Sequence, residues 1–302
     1  MKTLISFLLI GTGSLLISCK PTSETKNTTM IDVQGHRGAR GLLPENTIPA
    51  FIKAVELGVT TLELDLAVTA EKELLVSHEP YMGAHLALDS TSQEISKQDE
   101  LNHNIYQMTY DEIKKYDVGS KFIERFPKQE KFNINKPLLS EVVDAVNQYL
   151  DQNQLDPVNY NIEIKSQPEG DSLFHPKPDE YARLVYEFIT SSMDTTRLNV
   201  QSFDFRILKY YHQNYPEIKL AALVENEKSI EQNLTTLGFN PEIYSCYYKL
   251  LDHDKVAWLQ AQGIKVIPWT VNEPEDIEMV IGWGVDGIIS DYPNRVLELI
   301  SN

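Results

Sequence analysis

The chain has 302 residues, 42% hydrophobic and 24% charged, which describes an ordinary globular protein with material for one large domain or two modest ones. Its formal net charge of −17 argues against nucleic acid as a partner, because affinity for a phosphate backbone comes from clustered Lys and Arg. A phosphate-bearing substrate would have to be drawn by a local positive centre, such as a metal ion, and not by the surface as a whole.

Residues 1–18 read as a lipoprotein signal peptide. Lys2 is a one-residue basic start, and the apolar stretch 4–17 is too short for a typical membrane span. Leu16-Ile17-Ser18-Cys19 resembles a bacterial lipobox, which would make Cys19 the lipidated N-terminus. An acyl anchor would then hold the exported protein on a membrane surface, on the periplasmic or outer side of the cell envelope. The alternative is a plain secretory signal with an incidental cysteine. Removal of 1–18 leaves Cys246 as the only other cysteine, so no intramolecular disulfide is available, and its apolar neighbourhood predicts core packing. Residues 19–30 are polar, rich in Thr and Ser, and aperiodic, as expected of a flexible tether.

From residue 31 to 302 short β-rich runs alternate with helical patterns, the signature of βα units and a parallel sheet. Strands are predicted at 31–36, 61–68, 74–78, 160–165, 199–203, 219–224, 242–247, 265–271 and 286–290. Only Ala70-Glu71-Lys72-Glu73 separates the second run from the third, whereas a parallel crossover needs a dozen residues or more. The third run must therefore fold back as an antiparallel hairpin partner. Eight parallel strands remain, which predicts an α/β fold of the TIM (β/α)8 barrel type. Residues from about 80 to 136 fit no barrel unit and form a small insertion after the hairpin. Tyr81, Tyr106, Tyr110, Tyr116, Phe122, Phe126 and Phe132 predict that it packs, at the catalytic mouth where it would shape access.

In such a barrel, functional residues crowd the C-terminal ends of strands. Glu63 and Asp65 are two residues apart on a strand, so both carboxylates share a face, where burial without compensation is expensive. A bound cation removes that cost, and hard oxygen ligands select Mg²⁺ or Ca²⁺. Glu163 offers a third carboxylate from another strand; the alternative is that each acid finds a basic partner, Lys165 being the obvious one. Of seven histidines, His36 and His78 end strands beside this cluster, and the other five are expected on the surface or at caps. A hairpin turning at Glu71-Lys72 would set His78 opposite Asp65, and a one-residue slip would point it away. Two imidazoles flanking a metal suit acid/base displacement at phosphorus, a ligand role for one of them being the alternative. Arg37 can fork onto phosphate oxygens, and Lys165 adds a point charge.

The ordered set His36-Arg37-Gly38, Pro44-Glu45-Asn46-Thr47, Glu63-Leu64-Asp65, Val76-Ser77-His78, Glu163-Ile164-Lys165, Gln201-Ser202-Phe203, Trp269-Thr270-Val271-Asn272 and Ser290-Asp291 resembles the glycerophosphodiester phosphodiesterase family. The resemblance implies a TIM barrel with one divalent cation, Ca²⁺ or Mg²⁺. The implied activity is cleavage of a deacylated phospholipid into an alcohol and glycerol 3-phosphate. It implies Glu63, Asp65 and Glu163 as metal ligands, His36 and His78 as the acid/base pair, and Arg37 and Lys165 as phosphate contacts. Trp269 would line the glycerol side of the pocket, with a packing role as the alternative. Bland roles are expected for Asn46 or Thr47 as an N-cap, for Gly58 as a helix stop, and for Asn272 as an N-cap supported by Glu275. One departure is Glu79, where the family usually carries Asp after the second histidine. A phospholipase acting on intact or lyso-phospholipids and a non-catalytic phosphoester-binding lipoprotein are the competing functions.

Overall fold

The structure is a computed structural model that describes residues 31–301. The expected signal peptide, the expected lipid-bearing Cys19 and the expected tether lie outside the described residues. The first half of the chain forms β1 (Asp32–Gly35), α1 (Ile48–Leu57), β2 (Thr61–Val68), β3 (Leu74–Val76), α2 (Tyr110–Ile113), α3 (Leu139–Asn153), β4 (Asn159–Ile164) and α4 (Pro178–Ser192). Then come β5 (Leu198–Ser202), α5 (Phe205–Asn214), β6 (Lys219–Val224), α6 (Ile230–Leu237), β7 (Ile243–Cys246) and α7 (His253–Ala261). The chain ends with β8 (Lys265–Val266), α8 (Pro274–Gly282), β9 (Gly287–Ser290) and α9 (Pro293–Ile300).

The strands pair in the order β8-β7-β6-β5-β4-β2-β1-β9, all parallel, with β3 attached to β2 alone. Between β8 and β9 the ring closes through single bonds, Asp286 N–H to the Val266 carbonyl at 2.9 Å and Ile289 N–H to the Pro268 carbonyl at 3.0 Å. The result is the expected TIM barrel. The predicted eighth strand, 265–271, keeps its ladder only over Lys265–Val266. Pro268 has no N–H to donate, so the chain beyond it touches β7 by one isolated bridge, Tyr247 to Trp269.

The hairpin exists, and its register is one residue off the expected one. Leu66 pairs with Val76 and Val68 with Leu74, which sets Ser77, not His78, across from Asp65. The Ser77 N–H donates to the Asp65 carbonyl at 2.9 Å. Lys72, in the left-handed region at φ 64°, supplies the extra turn residue.

Helix α1 shows how local chemistry and tertiary demand compete. Gly58 ends it at φ 91°, its N–H returning to the Ala54 and Val55 carbonyls, as a left-handed glycine stop should. Thr47 occupies the N-cap position without a capping bond; its hydroxyl donates instead to the Pro44 carbonyl at 2.6 Å. The Asn46 amide is drawn away to Asp65. At α8 the N-cap is Glu273, and Asn272 is likewise diverted, toward Ser290 and Asp291.

The outward faces of the strands, including Leu62, Leu64 and Leu66, are buried under the helices. The insertion has a core of its own, in which Met82, Leu86, Ile105, Ile113 and Val118 pack on Leu75 and Ala67. Its Tyr110 and Phe126 are buried, but Phe122 is 64% exposed. Among the five histidines assigned to surface or caps, His175 is a correction: it is 2% exposed, accepting from the Gln167 N–H and donating to the Pro176 carbonyl. Cys246 is buried in the core as expected, and burial pushes its thiol up to about 12.

Candidate active site

Two adjacent strands create the acidic centre. In the β2–β4 ladder Asp65 lies level with Glu163 and Glu63 with Asn161, so parallel pairing lines the side chains up inside the barrel. Oxygens of Glu63, Asp65 and Glu163 all fall within 4.8 Å of one another, and all three residues are buried. Glu63 accepts from the Arg37 backbone N–H and from Gln201 Nε2, both at 2.9 Å. Asp65 accepts from Asn46 Nδ2 at 2.9 Å, and Glu163 from Lys165 Nζ at 2.7 Å. The alternative, a basic partner for each acid, is met for Glu163 through Lys165 and for Asp65 through Arg37 Nε at 3.2 Å.

The charges remain out of balance. Burial first, then the Asp65 and Glu163 charges, push Glu63 well above the usual carboxylate range. Burial also raises Glu163, against the opposing pull of Lys165. Burial works in the same direction on Asp65, yet Arg37, then His78 and Lys165, hold it well below its ordinary value. Its Oδ1 is a buried oxygen with no hydrogen-bond donor. Three converging carboxylates with an orphaned lone pair fit a hard divalent cation bound through oxygen.

The loop after β1 is shaped to deliver His36 and Arg37. Arg37 (φ 51°), Gly38 (φ 83°) and Asn46 (φ 56°) all occupy the left-handed region. A Cβ on Gly38 would fall 2.6 Å from the Ala50 carbonyl carbon, so only glycine lets the loop lie on α1. His36 Nδ1 is 2.6 Å from Asp291 Oδ1, and its Nε2 faces Glu63 Oε2 at 3.9 Å. Burial, then the Arg40 charge, lower His36 to about 3, against the opposing effect of Asp291, so the imidazole is neutral. With Asp291 accepting at Nδ1, the free lone pair is on Nε2.

His78 reaches the same cavity although the register places Ser77 opposite Asp65. β3 stops at Val76, and the Ser77 hydroxyl donates to the Glu79 carbonyl at 2.6 Å, turning the chain so that His78 lines the mouth. Its Nδ1 lies 2.9 Å from Glu79 Oε1, so the longer acid at 79 still reaches the ring next to it.

Arg37 is 8% exposed, with NH1 on Glu45 at 2.7 Å and Nε 3.2 Å from Asp65. Lys165 Nζ lies 3.9 Å from Asp65 Oδ1. Both line a cavity of about 550 Å³ together with His36, His78, Glu63 and Glu163. Its far wall is aromatic: Trp269 packs edge-on to Phe203 at 5.5 Å and tilted against Tyr247 at 6.0 Å. Trp269 Nε1 donates to the Ser245 carbonyl at 3.0 Å, which fixes the ring. All eight residues singled out from the sequence for metal, proton or substrate work, Cys19 aside, therefore meet at one mouth.

Sequence reasoning assigned no role to Asp291, which is fully buried at the end of β9. Besides His36, it takes Arg40 Nε at 2.5 Å, Asn272 Nδ2 at 2.7 Å and Arg125 NH2 at 3.3 Å. Its position at the C-terminal end of a predicted strand was the available signal. Glu45 bridges Arg37 and Arg40, accepting from both guanidinium groups.

A profile of the glycerophosphoryl diester phosphodiesterase family matches residues 36–295. The chain is 26% identical to a glycerophosphodiester phosphodiesterase of Bacillus subtilis (strain 168), over 96% of this chain and 95% of that one. It is 29% identical to a protein of the same name from Caldanaerobacter subterraneus subsp. tengcongensis, over 89% of this chain and 97% of the other. A crystal structure from Silicibacter pomeroyi DSS-3, assigned to the same class of phosphodiesterases, superposes with a TM-score of 0.80. It is 29% identical, and the match covers 91% of this chain and 94% of that one.

Proposed function

The chain belongs to the glycerophosphoryl diester phosphodiesterase family, and we propose that it hydrolyses glycerophosphodiesters to an alcohol and glycerol 3-phosphate with His36 and His78 moving the protons. The observation that carries this reading is the meeting, at one cavity, of a cation-ready acidic triad with two imidazoles and two cationic side chains. A Ca²⁺ or Mg²⁺ ion held by Glu63, Asp65 and Glu163 would polarise the phosphoryl oxygens and offset the charge that builds on them.

Arg37 and Lys165, both beside Asp65 at the cavity, hold the phosphate and supply fixed positive charge where the transition state gathers negative charge. His36, kept neutral with Nε2 free, accepts the proton of the nucleophile, which is water or the glycerol 2-hydroxyl; in the second case water then opens the cyclic phosphate to glycerol 3-phosphate. His78, beside Glu79, protonates the departing alkoxide. Trp269 and Phe203 give the glycerol an apolar wall. Anchorage through Cys19 to the outer side of a membrane is part of the proposal and is supported by the Leu16-Ile17-Ser18-Cys19 motif. No helix among the described residues is long and apolar enough to cross a membrane.

The test is release of glycerol 3-phosphate from glycerophosphocholine or glycerophosphoethanolamine. Wild-type turnover should vanish with excess EDTA, return with added Ca²⁺ or Mg²⁺, and be lost in His36→Ala. Turnover that persists in either condition sinks the mechanism. Cys19→Ser should release the protein from the membrane fraction; unchanged membrane association would refute the anchor.

A further inference from the structure

The interior of a TIM barrel is ordinarily filled by branched apolar side chains in layers. Here one half follows that rule, with Ala221, Ile243, Ile267 and Ile289 packed together. The other half is polar. Gln34, Asn161, Asn199 and Gln201 project from β1, β4 and β5, and their exposures are 1%, 2%, 7% and 1%. Buried amides cost free energy unless every hydrogen bond is made, so an apolar layer would stabilise the fold more cheaply. The pattern of their bonds suggests what they are for.

At the N-terminal end of the barrel Asp32 can only accept. Gln34 Nε2 donates to its Oδ2 at 2.7 Å, while Thr61 Oγ1 occupies Oδ1 at 2.6 Å. The Gln34 carbonyl is thereby turned inward, toward Asn161 Nδ2 at 2.8 Å. Asn161 cannot rotate its amide, because Asn199 Nδ2 donates to its Oδ1 at 2.6 Å. The second Asn161 N–H donates to Gln201 Oε1 at 3.0 Å. With its carbonyl engaged there, Gln201 has only its NH₂ to offer upward, and it donates to Glu63 Oε1 at 2.9 Å. A continuous line of amides, each with one possible orientation, therefore runs from one end of the barrel to the acidic centre.

We infer that Gln201, held by Asn161, Asn199 and Gln34, is a positioning residue that locks Glu63 as an acceptor with its free lone pairs turned to a divalent cation. Glu63 sits beside two other carboxylates, and a rotated or protonated Glu63 would be an inferior ligand. Arg37 N–H fixes one of its oxygens and Gln201 fixes the other, so the chain meets the cation with this ligand already set. The inference rests on the proposed divalent-cation site and goes beyond it by assigning interior amides to that site's support.

Two measurements test it, both on the full chain and neither depending on turnover. In the first, Ca²⁺ is titrated by calorimetry into EDTA-stripped wild type, Gln201→Met and Asn161→Leu, with folding checked by circular dichroism. Loss of a residue that orients a metal ligand weakens affinity about 10- to 100-fold. Both variants should fall in that range, although Asn161 makes no bond to the triad. In the second, the wild-type Asn and Gln side-chain amides are followed by NMR as Ca²⁺ is added, a readout that holds even if a variant fails to fold. The Gln201, Asn161 and Gln34 resonances should move together. Ca²⁺ binding with unchanged affinity in folded variants, or with Gln34 and Asn161 resonances stationary, overturns the inference. Absence of any Ca²⁺ or Mg²⁺ binding by the wild type instead overturns the cation site itself.

Discussion

Replacing Asp291 by Asn tests the hub that sets the state of His36. The carboxylate is fully buried and takes donors from four sides: His36 Nδ1, Arg40 Nε, Asn272 Nδ2 and Arg125 NH2. An amide has one acceptor oxygen, so its NH₂ must face a donor or the imidazole. If it faces His36 it donates to Nδ1, the ring proton moves to Nε2, and the lone pair aimed at the cavity disappears. Loss of a positioned general base lowers the rate by about 10² to 10⁴, equivalent to roughly 3–5 kcal/mol at about 1.4 kcal/mol per tenfold. Arg40 loses its Nε acceptor but keeps Glu45 at 3.3 Å and an oxygen at the Oδ2 position at 3.4 Å, so the cost stays below the roughly 3–5 kcal/mol of a buried ion pair broken outright. Asp291→Asn should therefore lower kcat by at least about 100-fold at saturating divalent metal, with KM for glycerophosphocholine little changed. It should also lower the Tm. The assay is glycerol 3-phosphate release against substrate concentration and pH, alongside thermal unfolding. A kcat within about threefold of wild type would show that Asp291 does not set the state of His36, since that is far below the loss expected for a misplaced base.

Acid should destabilise the fold through His36. Its folded pKa is lowered to about 3 from an ordinary 6.5, so the unfolded chain binds a proton that the folded one refuses between those values. This contribution is complete above about pH 6.5 and is lost as pH falls toward 3. From about pH 8 to about pH 4.5 it amounts to two units at 1.36 kcal/mol each, or about 3 kcal/mol. The raised pKa values of Glu63 and Glu163 act oppositely in metal-free protein, so the measurement is the difference in unfolding free energy between wild type and His36→Gln. That difference should shift against the wild type on acidification; a pH-independent difference would contradict it. Gly38→Ala places a methyl group at 2.6 Å from Ala50 and strains a φ of 83°, so both stability and activity should drop, whereas Gly58→Ala meets no neighbour and should lower stability alone. Cys246, buried with its thiol pushed up to about 12, should resist a thiol reagent in the native state and react once denaturant is added.

The alternation of β-rich and helical runs, the need for a fold-back at Ala70-Glu71-Lys72-Glu73, and the shared face of Glu63 with Asp65 and of Glu163 with Lys165 were all legible in the sequence. Each depends on the period of a strand or the length of a connection, and those are local properties of the chain. The hairpin register was not legible, because a turn with one more residue leaves the composition of both strands unchanged and moves every pairing by one. Capping propensity failed at Asn46 and Asn272 for a related reason: a buried carboxylate, Asp65 or Asp291, competes for the same amide more strongly than an exposed helix end does.

Only the pairing of the last strand with the first brings Asp291 onto His36 from 255 residues away, and only the curvature of the neighbouring strands β1, β2, β4 and β5 links Asp32 to Glu63 through Gln34, Asn161 and Gln201. Sequence periodicity says which face of a strand a side chain occupies. Which side chains meet across the barrel is set by strand order, stagger and the joining of the last strand to the first, and these exist only once the ring is complete.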